Sequence, residues 1–245
     1  VNVTGLPAPP PRTPAVHAVI HGVHGSPGRT GWKAFYTRRH LQSPTEAVEW
    51  ATLPPDAVSG EHRHTRTEEI YLVLDGEGEF FFNGRPHAVR RGSLALTPPG
   101  NTHGLRNTGD HDLSWWVVET LAPATQAALA APAPPGPVTP RSRPVPVHLT
   151  DLTVTPHVDT TTVFDGPLVA VDRHVLLAGE ELVTGADSSE IAGFVNAGSA
   201  VLDLPGATSS VTAPAAFLVP AGTRGRLTAA EECELFTVEL RVGPA

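Results

Sequence analysis

The stretch SGEHRHTRTEEIYLVLDGEG, residues 59–78, decides how this chain is read. His62 and His64 stand two apart in a segment with strand character, so their side chains share one face. Glu69 follows a short polar break and opens the apolar run at 69–74, which reads as the next strand. If these two strands pair as neighbours, the carboxylate reaches the point at which both imidazoles aim. Glu68 is a rival ligand, but on an extended strand it faces the opposite way. Further on, GSLALTPPGNTHGLRN at 92–107 ends a third strand in a Pro-Pro-Gly turn, after which His103 starts a fourth. Three neutral imidazoles and a carboxylate suit Fe(II), Mn, Co, Ni, Cu or Zn. Mg and Ca prefer oxygen ligands throughout.

Around these stretches the chain reads as all-β. Short runs rich in Val, Leu, Phe and Thr alternate with Gly, Pro, Asn and Asp, the pattern of a sandwich or barrel. The expected strands include 69–74, 78–82, 93–97, 113–119, 171–177, 193–196, 200–204, 216–219 and 234–240. Residues 120–131 are alanine-rich and predict a helix, and the proline-dense stretch 132–146 predicts a semi-rigid linker. The expected division is a metal-binding domain with a Pro-rich arm at 1–125, a linker at 126–146 and a second domain at 147–245.

The halves repeat each other. GSLALTPPG at 92–100 resembles PAAFLVPAG at 214–222, and Pro98 to Pro220, Gly100 to Gly222 and Gly76 to Gly198 are all separations of 122. A constant offset at three turn positions indicates duplication. The same offset carries His62 to Thr184, His64 to Ala186, Glu69 to Ile191 (or to Glu190 if the strand slips by one) and His103 to Gly225. The second copy has therefore lost its ligands. Asp187 and Glu190 remain nearby, a poor donor set for a transition metal. Its expected role is structural, covering strand edges and apolar surface of the first.

The two histidine-bearing stretches resemble the paired motifs of the cupin superfamily. The first motif has His-x-His, three or four residues, Glu, six residues and Gly, and His62, His64, Glu69 and Gly76 fit it. Its leading glycine departs, because Gly60 lies only two residues before His62. The second motif runs Gly, five residues, Pro-x-Gly, two residues, His, three residues, Asn, and is matched by Gly92, Pro98, Gly100, His103 and Asn107. The resemblance implies two tandem double-stranded β-helix barrels, a bicupin, with His62, His64, Glu69 and His103 holding one divalent metal.

On the strand from Glu69 the same-face positions are Tyr71 and Val73, and after His103 they are Leu105 and Asn107. The expected pocket is mostly apolar, with Tyr71 as a candidate proton donor. Arg38, Arg39, Arg106 and Trp50 are candidates for closing its mouth, an arginine there being suited to a substrate carboxylate. With Fe(II) favoured, the resemblance implies an oxidoreductase, a dioxygenase of a small organic acid or phenol. Isomerase, cyclase, decarboxylase or lyase chemistry on Zn or Mn is the alternative, and ligand capture without chemistry a third.

Composition bounds the rest. The net charge of −8, with a single lysine at Lys33, excludes a basic nucleic-acid surface. No apolar run spans a membrane. Cys233 is the single cysteine, so no internal disulfide forms. Residues 1–13 lack the basic end and apolar stretch of a signal peptide, which gives the expectation of a cytoplasmic monomer or homodimer acting on a small molecule. His17, His21 and His24 are spaced like a helix face, but Gly22 and Gly25 interrupt it.

Overall fold

The computed structural model describes residues 18–21, 29–131 and 145–243. Its strands are β1 (Ala18–His21), β2 (Arg29–Thr37), β3 (Thr45–Leu53), β4 (Val58–Arg63), β5 (Thr67–Asp75), β6 (Glu77–Phe82), β7 (Arg85–Arg90), β8 (Ser93–Thr97), β9 (Thr102–Asn107) and β10 (Leu113–Leu121). Helix α1 (Pro123–Ala130) follows. Then come β11 (His148–Asp151), β12 (His157–Asp159), β13 (Leu168–Leu176), β14 (Glu181–Thr184), β15 (Ser189–Ala197), β16 (Ser199–Leu204), β17 (Ala207–Thr212), β18 (Ala215–Val219), β19 (Gly225–Ala229) and β20 (Cys233–Arg241). The expected helix is shorter than 120–131, because Thr120 and Leu121 stay in β10, paired with Glu68 and Thr67. Pro123 then starts the helix, where its missing N–H costs nothing. The Pro-rich arm, His17 and His24, and the side chain of His21, lie outside the described residues, as do 132–144 of the linker.

Four antiparallel sheets build two barrels. In the first, the sheet β1-β2-β3-β10-β5-β8-β11 faces the sheet β4-β9-β6-β7. In the second, β12-β13-β20-β15-β18 faces β14-β19-β16-β17. Strand β11, placed by sequence at the start of the second domain, instead completes the edge of the first large sheet beside β8. Each barrel encloses its own core. Tyr71, Val73, Phe80, Leu105 and Trp115 belong to the first, and Ile191, Val195, Leu202, Phe217 and Leu235 to the second.

A third apolar cluster lies between the barrels, where the outer faces of the two large sheets meet. It joins Ile70, Leu72, Leu94, Leu96 and Trp116 to Phe194, Ala216, Leu218, Phe236 and Val238. This explains why β5 and β15 are buried along almost their whole length. Alternate residues enter the barrel interior and the inter-barrel layer, so neither face can be polar throughout.

The repeat holds residue for residue. Thr67 and Ser189, Glu77 and Ser199, Arg85 and Ala207, Ser93 and Ala215 open equivalent strands, each pair 122 apart. Leu113 and Cys233 are 120 apart, so two residues are lost between β18 and β20. Gly76 and Gly198 occupy the same left-handed turn, at φ +84° and +73°.

The barrels also exchange equivalent polar contacts. Glu68 accepts the backbone N–H groups of Asp165 and Gly166, just before β13. Its counterpart Glu190 accepts those of Gln42 and Ser43, just before β3. The pairs 68/190 and 43/166 relate by 122 and 123, so one clamp is the image of the other. Each satisfies N–H groups that would otherwise be orphaned in the interface.

Candidate metal centre

His62 lies on β4 and its direct cross-strand partner on β9 is His103. A bulge between Ser59 and His62 sets the local aim of β4. Gly104 allows the close approach: a Cβ there would come within 2.8 Å of the Ser59 carbonyl oxygen and 2.9 Å of the Glu61 nitrogen. His64 sits just past β4. Glu69 is on β5, in the opposite sheet, where Glu119 and Thr97 flank it on β10 and β8. The expectation that the strands of His62 and Glu69 pair is therefore corrected. They face each other across the barrel, and the ligands close on a point between the sheets. Both arrangements satisfy the alternation of side chains, which fixes a face but not the sheet opposite it.

The four residues offer one donor atom each, all within 4.8 Å of one another. Glu69 Oε2 lies 2.9 Å from His64 Nε2 and 2.8 Å from His103 Nε2, and the Nε2 atoms of His62 and His103 are 3.2 Å apart. Every imidazole is anchored through its other nitrogen. His62 Nδ1 lies 3.0 Å from the Gly60 carbonyl oxygen, His64 Nδ1 2.9 Å from Thr67 Oγ1, and His103 Nδ1 2.8 Å from Thr97 Oγ1. Glu119 Oε1 extends the second of these, 3.2 Å from His64 Nδ1 and accepting a 2.8 Å bond from the Thr67 hydroxyl. With protons on Nδ1, all three Nε2 lone pairs point inward, the arrangement a metal requires of its histidines.

The donor set fits such an ion. His64 Nε2 and Glu69 Oε2 are buried and, despite their proximity, neither completes a hydrogen bond. Buried polar atoms without partners are costly, and a shared cation would satisfy both. In the protein alone the charges adjust to one another. Burial would raise the Glu69 carboxyl, but the charge and close contacts of His103 and His64 hold it below the usual range. Burial works against protonating His64, yet Glu119 and Glu69 outweigh it and raise its pKa to about 10.

A pocket of about 230 Å³ opens beside the cluster, lined by His62, His64, Glu69, Tyr71, Trp115 and Val117 among others. Tyr71 stacks obliquely near His103, ring centres 4.6 Å apart. Burial, reinforced by the charges of Glu69, Glu49 and Glu119, pushes its phenol well above the ordinary value, so it stays protonated.

The pocket is less apolar than its sequence suggested, because it also contains Glu49 and Glu119. The pairing Glu49–Val117–Tyr71 runs across β3, β10 and β5, one row from Glu119–Glu69–Thr97. Both extra carboxylates thus share the inward face with the ligand Glu69. Their signal in the sequence was a lone acid within an otherwise apolar strand, at TEAVEWATL and LSWWVVETL. Burial raises Glu49 to about 7, against a lowering hydrogen bond from the Trp32 indole to Oε2 at 2.8 Å.

Other expected lining residues are elsewhere. Val73 and Leu105 pack in the barrel core. Asn107 donates to the carbonyl oxygens of Leu53 and His111, pinning a loop. Arg38 pairs with Glu46, Arg106 lies 3.9 Å from Glu79, and Arg39 is exposed. Trp50 packs toward Phe194 between the barrels. Among the described residues, no arginine or lysine lines the pocket.

The second barrel shows what replaced its site. Thr184 pairs with Gly225 as His62 pairs with His103. A Cβ on Gly225 would lie 2.9 Å from a Val219 methyl and 3.1 Å from a Leu204 methyl. Val219 is the counterpart of Thr97, so the supporting hydroxyl has gone with the ligand it supported.

Residues 49–119 match the cupin domain family. The first barrel is a cupin domain. Its cupin segment is similar to an oxalate-binding protein of Thermotoga maritima, 29% identical over 102 residues, which are 42% of this chain and 84% of that protein. An uncharacterized protein of Methanocaldococcus jannaschii is 30% identical over 69 residues, 28% of this chain and 52% of that one. Beyond the cupin domain, the whole arrangement is similar to the crystal structure of a salicylate 1,2-dioxygenase from Pseudaminobacter salicylatoxidans. There the TM-score is 0.60 at 22% identity, over 82% of this chain and 72% of that one. A gentisate adduct of that dioxygenase gives 0.60 at 21%, over 82% and 69%. At these identities the likeness speaks to the two-barrel cupin fold alone.

Proposed function

We propose that this protein is a metal-dependent oxygenase that binds a small hydroxylated ring in the first barrel, with Fe(II) held by His62, His64, Glu69 and His103. The observation that carries the reading is four inward-facing donor atoms within 4.8 Å beside a small pocket walled by Tyr71, Trp115 and Trp32. Four protein ligands leave up to two positions on a six-coordinate ion, and Fe(II) would supply them for a substrate oxygen and O2. The protein does the remaining work. Trp115, Val117 and Trp32 offer flat apolar surface, and the pocket volume suits a single ring rather than a drug-sized ligand. Tyr71, which stays protonated, is placed to donate a hydrogen bond or proton.

Among the described residues no lysine or arginine lines the pocket, which favours a phenol over an organic acid. A substrate carboxylate would face Glu49 and Glu119 with no guanidinium to pair with. The test is to purify the protein without chelators, measure its metal, load it with Fe(II), and follow O2 consumption with simple phenols and hydroxybenzoates. Fe(II)-dependent uptake with a hydroxylated ring supports the reading. Turnover on Zn or Mn without O2 uptake would replace it with isomerase, cyclase, decarboxylase or lyase chemistry. Tight binding of oxalate without turnover would replace it with ligand capture.

A further inference from the structure

We propose that Glu49 is the proton acceptor of the pocket, taking the hydroxyl proton of a catechol-like substrate as it binds. The inference rests on the reading above and assigns a role that the metal ligands do not fill.

Among the described residues facing the pocket, Glu49 alone is placed to do this and not committed elsewhere. Glu69 is directed at the metal point, between His64 and His103. Glu119 is committed to the Thr67 hydroxyl and the His64 ring, so it acts by positioning a ligand. Tyr71 keeps its proton and cannot accept another. Glu49 projects from β3 onto the same inward row as Tyr71, and its single described hydrogen-bond donor is the Trp32 indole. That indole fixes the carboxylate without neutralising it, and no lysine or arginine of the lining does so either.

In the step proposed, the substrate O–H bond breaks and a Glu49 O–H bond forms. The electron pair stays on the substrate oxygen, which becomes a phenolate. No oxidant is consumed, and the proton returns to product on release. A carboxylate raised to about 7 by burial can accept this proton and give it back near neutrality, where ordinary carboxylates are too weakly basic.

The test counts protons rather than turnover. Catechol is titrated calorimetrically into Zn(II)-loaded wild-type, Glu49→Gln and Glu49→Asp proteins, in buffers of different ionisation enthalpy. The pH is about 8, where a free phenol, of pKa about 10, is still protonated. An ultraviolet band shift reports whether the bound catechol is ionised. The wild type should bind the phenolate and release little proton, because the new phenolate charge beside Glu49 favours its protonated form. Glu49→Gln should still bind the phenolate but release about one proton more per site. Glu49→Asp should restore part of the retention. Metal content should match the wild type in both variants, and Glu49→Gln should unfold at no lower temperature, since it removes a buried charge. Equal proton release by wild type and Glu49→Gln, with phenolate bound in both, would overturn the assignment and leave the proposed function standing. Absence of metal-dependent catechol binding in the wild type would overturn both.

Discussion

Replacing Thr97 with valine makes the first barrel match the second at one decisive position, because Val219 is its counterpart. The side chain keeps its shape but loses the Oγ1 that lies 2.8 Å from His103 Nδ1. Both residues are buried, so no water is at hand to take over. When Nε2 serves a metal, Nδ1 must carry the proton, and in Thr97→Val that N–H has no acceptor. A buried donor left unsatisfied costs about 1–3 kcal/mol. At 1.4 kcal/mol per factor of ten, metal affinity should fall by about 5- to 150-fold. Partners that orient metal-bound histidines cost about 10- to 100-fold when removed, in line with that range. The assay is competition for Zn(II) against a chromophoric chelator, with thermal unfolding of the metal-free protein alongside. A dissociation constant within twofold of wild type would refute the claim that Thr97 holds His103 in its binding tautomer.

Other outcomes follow from the same geometry. Glu119→Gln should weaken metal binding by about 10- to 100-fold, through His64, in the same competition assay. His103→Ala should abolish stoichiometric metal content, measured by elemental analysis, because it removes a ligand at zero solvent exposure. Gly166→Ala should destabilise the protein by about 1–3 kcal/mol in urea unfolding, because the new Cβ would run into Glu68 Oε2 and displace it from the N–H groups of Asp165 and Gly166, the latter buried. Its metal content should be unchanged, since Glu68 faces away from the site. Turnover should rise with pH through about 7, because Glu49 accepts a proton only when ionised and its pKa is raised to about 7.

The cluster of His62, His64, Glu69 and His103 was legible because its signal is local. His62 and His64 share a face by strand alternation, the spacing to Gly76 distinguishes Glu69 from Glu68, and His103 follows a turn marked by Pro98 and Gly100. The duplication was legible too, since an offset survives drift in everything between the turns. What escaped depends on which strands meet. Nothing near Glu69 says that β5 faces β4 across a barrel instead of pairing with it. Glu49 and Glu119 enter the pocket only because β3, β10 and β5 lie side by side in one register. Strand β11 lies far from β8 in sequence yet completes its sheet. The expected arginine contacts failed for the same reason: Arg38 follows the end of β2 and Arg106 lies on β9, but their heads are exposed and paired with Glu46 and Glu79.

Glu68 and Glu69 are consecutive, yet one fastens the two barrels and the other joins the histidine cluster of the candidate metal centre. On a strand buried on both faces, a single step along the chain crosses from one duty to the other. In the second copy the equivalent pair is Glu190 and Ile191: the fastening carboxylate is present, and an apolar side chain stands where the first barrel has Glu69. Cohesion and metal-facing chemistry thus rest on interleaved, separable residues. A duplicated barrel could go silent as a metal site and still be retained as half of its sibling's scaffold.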